Sequence, residues 1–73
     1  MSPAQRNGDN SMFTKREQDV LKCIIEGKTS KQIAGELFLS IHTVNTHRKR
    51  IMAKSRAASA TELVRLAIEQ GWV

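Results

Sequence analysis

His42, Asn45, Thr46, Lys49 and Arg50 recur at spacings of three and four residues, so on a helix they gather on one side. An imidazole, an amide, a hydroxyl, an ammonium and a guanidinium stand together there, and no carboxylate interrupts the stretch from Ile41 to Arg56. Such a set lacks the nucleophile-and-base pairing of a hydrolase. It is instead a set of hydrogen-bonding groups suited to base edges: lysine to guanine, asparagine to adenine, threonine to several bases or to a thymine methyl.

A helical wheel over 42–55 separates the two faces. With Val44 at zero and about 100° per residue, Ile51, Ser55 and Arg48 fall within about 40° of it and form the inward face. Opposite, near about 180°, lie His42, Thr46, Lys49 and Ala53, flanked by Thr43, Asn45 and Arg50. Ala53 is small enough to let a surface approach closely. Base contact is expected from Asn45, Thr46, Lys49 and His42. Ser40, Thr43 and the N–H groups at the start of this helix suit phosphate oxygens, helped by the helix dipole.

Other chemistry is excluded by spacing. His42 and His47 are five apart, about 140° around the helix, so they do not clasp one ion as an i, i+4 pair would. His47, about 60° from the core centre, reads as structural or phosphate-adjacent. Ser55 and Ser59 have no base at a diagnosable spacing, and neither a phosphate-cradling glycine loop nor a pair of carboxylates on one apolar face is present. No metal, no cofactor and no enzymatic activity are expected.

The 73 residues form one domain with a single small core. Twelve Lys and Arg against seven Asp and Glu give a net charge of +5. The segment Lys28–Arg56 holds seven of those cations against Glu36 alone, a net +6, while the remainder is −1. Charge localised in this way is the footprint of a polyanion partner. No apolar run approaches the ~18 residues of a membrane helix, and one cysteine, Cys23, makes no internal disulfide. A soluble, cytoplasmic protein is the expectation.

The elements that must position the outer face are all helices. Residues 1–12 show no apolar period and read as a flexible tail or linker, with the folded domain over 13–73. Thr14 and Glu17 make a capping box, with Phe13 as hydrophobic staple; Val20, Leu21, Ile24 and Ile25 then form a stripe up to Gly27, predicting a helix over about 15–26. Cys23 lies off that stripe and reads as packing or surface. Thr29 with Gln32 repeats the box and opens a helix near about 30–37, its inner face Ile33, Ala34 and Leu37. Gly35 in its middle costs about 0.5–1 kcal/mol relative to alanine unless close packing requires it. Ser40 caps a third helix over about 41–54, and Ser59 with Glu62 forms a third box opening a fourth over about 60–70. Ala60, Leu63, Val64 and Ala67 are its stripe, Gly71 its stop, and Trp72 packs back over its last turn. The fold class is all-α, four short helices, with a sharp turn of three residues between the second and third.

These residues carry a resemblance. The stretch FTKREQDVLKCIIEGKTSKQIAGELFLSIHTVNTHRKRIMAK resembles the C-terminal helix-turn-helix domain of LuxR/FixJ/NarL-type bacterial transcription regulators. The matching pieces are Thr14-x-Arg16-Glu17, Val20-Leu21, Gly27, Lys31-Gln32-Ile33-Ala34, Leu37, Ser40, Thr43-Val44-x-x-His47 and Ile51-x-x-Lys54, and with the fourth helix the similarity spans about 13–73. It implies a four-helix unit whose third helix reads double-stranded DNA and whose fourth mediates a homodimer on it. The family's base-contacting positions fall on Asn45, Thr46 and Lys49. Its backbone-contacting positions fall near Thr29, Lys31, Thr43 and Arg50, and Ser30, Ser40 and Lys54 are expected to reach the backbone beside them. It further implies either the effector half of a two-component response regulator, set behind a receiver or ligand-binding domain, or a stand-alone regulator of this size. The bacterial nucleoid as its place is implied only by this resemblance.

Ser55 departs from the family, which places a hydrophobic residue there; a buried hydroxyl with no partner would cost about 1–3 kcal/mol. Leu66 and Ile68, beyond the inward stripe of the fourth helix, and Val73 after it, are the candidate dimer surface. The rival reading is a basic helical protein-interaction module that contacts an acidic partner in the transcription machinery, RNA polymerase included. The amide and hydroxyl content of the outer face distinguishes the two, because a merely cationic docking surface does not need it.

Overall fold

The computed structural model describes residues 12–73, so the tail expected over 1–12 lies, except for Met12, outside the described residues. Four helices follow in order: α1 (Lys15–Ile25), α2 (Ser30–Leu37), α3 (Ile41–Ser55) and α4 (Ala60–Gln70). Among the described residues there is no strand, and no helix is long and apolar enough to cross a membrane. The all-α expectation holds, with α1 ending one residue early and α3 one residue late.

The capping chemistry sets the starts. Thr14 Oγ1 accepts from the N–H of Glu17 at 3.1 Å while Glu17 Oε1 accepts from the N–H of Thr14 at 2.9 Å. Thr29 and Gln32 make the same reciprocal pair at α2, and Ser40 Oγ accepts from the N–H of Thr43 at 3.0 Å at α3. The third box differs. Ser59 Oγ accepts from the Glu62 N–H, but the Glu62 carboxylate reaches one residue further back, to the N–H of Ala58 at 2.6 Å.

The ends use left-handed residues. Gly27 and Gly71 carry positive φ as the sequence predicts, but α2 and α3 stop on Phe38 (φ 59°) and Arg56 (φ 63°). At Phe38 the following N–H, that of Leu39, bonds back to the carbonyl of Ala34 at 2.9 Å. That closure satisfies helix-end carbonyls and turns the chain sharply into α3. A left-handed conformation costs a side-chain-bearing residue roughly 1–2 kcal/mol.

The core is Phe13, Val20, Leu21, Cys23, Ile24, Ile33, Ala34, Val44, Ile51, Leu63 and Ala67. Cys23 is inside it, only 5% exposed, while Ile25 is half-buried, so the buried side of α1 is rotated from the predicted stripe. Phe13 does not staple its own helix, whose facing position is Gln18. Its ring instead meets Trp72 edge-on, centroids 5.1 Å apart, so the two ends of the domain close on each other. α3 packs against α1, α2 and α4 together, with Val44 and Ile51 fully buried. Its inward face is therefore the hub of the molecule, and its outward face is left to solvent.

Candidate nucleic-acid interface

α3 packs its apolar side chains inward, so its other side projects as a ridge. His42, Asn45, Lys49 and Arg50 are exposed, Thr43, Thr46 and Arg48 are half-buried, and Val44, Ile51 and Ser55 are buried. The wheel predicts this for Val44, Ile51 and Ser55 inside and for His42, Asn45, Lys49 and Arg50 outside, whereas Arg48, expected inward, and Thr46, expected outward, are both half-buried. His42, Asn45, Arg48, Lys49 and Met52 line a shallow groove along the ridge. Arg48 and Met52 were not among the expected site residues. Arg48 lies only about 40° from Val44 on the wheel, and it joins the groove because a long side chain carries its charged head outward past an apolar stem.

Several side chains on this face are already partnered. Ser30 Oγ, from the first turn of α2, donates to Asn45 Oδ1 at 2.8 Å. Thr46 Oγ1 donates back to the carbonyl of His42 at 3.1 Å, and Ser40 Oγ donates to Thr43 Oγ1 at 2.9 Å. Lys31 is exposed near the start of α2, beside the capping Thr29. The N-terminal turns of α2 and α3 thus carry hydroxyls and free backbone donors, with Lys31 adding charge, as phosphate oxygens require.

Lys54 stands apart from that set. Its ammonium bonds Oε1 of Glu17 at 2.6 Å, and the Glu17 side chain is only 2% exposed. The sequence shows Glu17 as a helix cap alone; its burial and its pairing across 37 residues are tertiary. Burial by itself would push the Glu17 carboxyl up. The Lys54 hydrogen bond, the Thr14 N–H and the charges of Lys54 and His47 outweigh it, and the group is held below the usual carboxylate value.

Ser55 next to it is buried but satisfied: its hydroxyl donates to the carbonyl of Met52 at 3.1 Å and accepts from the N–H of Ala57 at 3.2 Å. The departure from the family pattern thus costs no orphaned hydroxyl, and α3 is not frayed there. His47 turns its Nδ1 into the protein, where it is buried without a partner, whereas His42 faces solvent. The two imidazoles do not converge.

One grouping is invisible in the linear sequence. Cys23 Sγ and the carboxylates of Glu26 and Glu36 lie within 4.8 Å of one another. Lys28 fills this acidic spot, its ammonium 3.0 Å from Glu26 and 2.9 Å from Glu36 Oε2. Burial and Glu36 push the Cys23 thiol up, so it stays protonated and a poor ligand.

On α4, Ile68 (64% exposed) and Val73 (55%) are open apolar surface, while Leu66 is half-buried.

Comparison with known proteins accords with this geometry. Residues 11–67 match the family described as "Bacterial regulatory proteins, luxR family". The chain is 41% identical over 68 residues, 93% of its length, to "Uncharacterized response regulatory protein YgeK" of Escherichia coli (strain K12), covering 46% of that protein. It is 43% identical over 59 residues to "Transcriptional regulatory protein FixJ" of Azorhizobium caulinodans, covering 81% of this chain and 28% of that one. To "Response regulator protein TmoT" of Ectopseudomonas mendocina it is 47% identical over 54 residues, 74% of this chain and 24% of the relative. The chain therefore spans less than half the length of these relatives. A match over most of the folded part, on a four-helix scaffold that leaves the basic side of α3 open, makes this chain a member of the luxR family of bacterial regulatory proteins.

Proposed function

We propose that the chain is the sequence-specific DNA-binding unit of a bacterial transcription regulator, and that α3 lies in the major groove of double-stranded DNA. The observation that carries this reading is the exposed side of α3. It presents Asn45, Lys49 and His42 from a helix that buries Val44, Ile51 and Ser55 on its opposite side and contains no acidic residue. A helix held this firmly loses little freedom on binding, and its amide, hydroxyl and ammonium groups match base edges. Asn45, Thr46, Lys49 and His42 take the base contacts. Thr29, Lys31, Thr43, Arg50 and the backbone N–H groups after Ser40 take the phosphates, while the hydroxyls of Ser30 and Ser40 and the ammonium of Lys54 are bonded within the protein.

The names of the relatives support placing the chain in a response regulator of a two-component system, whose input would act through another part of that protein. One helix reads only a few base pairs, so specificity calls for a homodimer on half-sites about one helical turn apart. Ile68 and Val73, with the rim of Leu66, are the surface for it.

Titration on a duplex recovered from a random pool tests the reading. Affinity should fall by about 0.9 log units per phosphate contact for each log unit of salt, and the pool should converge on one sequence. Affinity indifferent to salt, or a pool that never converges, refutes it. Sedimentation that finds monomers both free and on DNA refutes the dimer.

A further inference from the structure

The Ser30–Asn45 hydrogen bond bears on which base Asn45 reads. Asparagine recognises adenine by two simultaneous bonds, its Oδ1 accepting from N6 and its Nδ2 donating to N7. That clasp needs the amide free to lie in the plane of the base with both atoms forward. Here the Ser30 hydroxyl occupies one of the two lone pairs of Oδ1 at 2.8 Å and ties that oxygen to α2, and the group left without a bond is the Nδ2 amino group, a donor. Thr46 has no hydroxyl proton to give, since it is spent on the His42 carbonyl. Beside Asn45 in the groove, Lys49 and Arg48 offer donors alone.

In water an exposed hydroxyl–amide bond contributes little, because solvent competes for both partners. Within a groove that excludes water, an acceptor with one lone pair already engaged and a donor left open are no longer equivalent.

We infer that Ser30 is a positioning residue for Asn45: by drawing Oδ1 toward α2 it biases Asn45 to donate through Nδ2 to acceptor edges, guanine N7 and O6 or thymine O4, and disfavours the two-bond clasp on adenine. The inference rests on α3 being the base-reading helix. Ser30 is well placed for a clean test, because Thr29 rather than Ser30 caps α2, so replacing it removes no capping bond.

The experiment uses the full chain and a random duplex pool, with wild type, S30A, S30T and N45A carried in parallel. The base pair facing Asn45 is the one whose preference N45A abolishes. Wild type should favour guanine or thymine there; S30A should shift that position alone toward adenine by about 5- to 10-fold, within the discrimination a two-bond contact supplies. S30T, which keeps the hydroxyl, should restore the wild-type preference. A wild-type preference for adenine at that position overturns the inference. So does an S30A chain that weakens every duplex equally with a shallower salt slope, the signature of a phosphate contact. A wild-type preference untouched by S30A removes this inference alone, whereas a wild-type chain that enriches no sequence removes the underlying DNA-reading function and this inference with it.

Discussion

Lys54 Nζ lies 2.6 Å from Oε1 of Glu17, so the last turn of α3 is tied to the first turn of α1 by an ion pair with one buried end. The two ends are unequal: the Glu17 side chain is 2% exposed and that of Lys54 37%. The same carboxylate closes the α1 capping box, so one group fixes both the start of α1 and the end of α3.

That inequality predicts unequal mutants. Lys54→Met strands a buried carboxylate and should destabilise by about 3 kcal/mol or more, since an uncompensated buried charge is the costly outcome. Glu17→Gln leaves an ammonium that turns to water and should cost only about 1–2 kcal/mol. Denaturant titration of both, with the double mutant, checks this; single mutants of equal cost would show that the pair is governed by surface electrostatics.

Acid should weaken the fold through the same group. Because folding lowers the Glu17 pKa, its contribution is whole above the ordinary value of 4.5 and is lost as pH falls through the depressed one. Stability measured between about pH 7 and about pH 3 should drop less steeply for Glu17→Gln than for wild type. Identical slopes would remove Glu17 from the account.

Gly35 is not explained by packing. A Cβ built there meets nothing within 4 Å, and its φ is not positive. Gly35→Ala should therefore stabilise α2 by about 0.5–1 kcal/mol and raise Tm by a few degrees. A lower Tm would reveal a constraint absent from the free domain.

Lys49 and Lys31 should separate base reading from phosphate contact. Lys49→Ala should cost about 1–3 kcal/mol on the selected duplex and relax preference at one position. Lys31→Ala should weaken all duplexes alike and reduce the salt slope by about one. Equal losses for Lys49→Ala on selected and random duplexes would contradict its base-reading role.

Much of this was legible in the residues. The capping hydroxyls, the apolar spacing and the two stop glycines are local signals, since a cap and its helix lie within four residues of each other. They locate four helices to within a residue, and the period of α3 separates its faces because Val44 and Ile51 admit only one inward direction. The local rules missed where a tertiary demand prevailed. Cys23 is drawn inside, off the local stripe, where the α2 residue Glu36 comes within 4.8 Å of its sulfur. Phe38 accepts a left-handed backbone because the turn into α3 needs one and no glycine stands there.

By itself the sequence determined an all-helical domain with its positive charge concentrated on one segment and a hydrogen-bonding face on its third helix, because periodicity and charge are written residue by residue. Only the tertiary structure decided which of those side chains are free to act. Ser30 reaches Asn45 across 15 residues and Lys54 reaches Glu17 across 37, and no local rule relates partners that become neighbours only when helices pack.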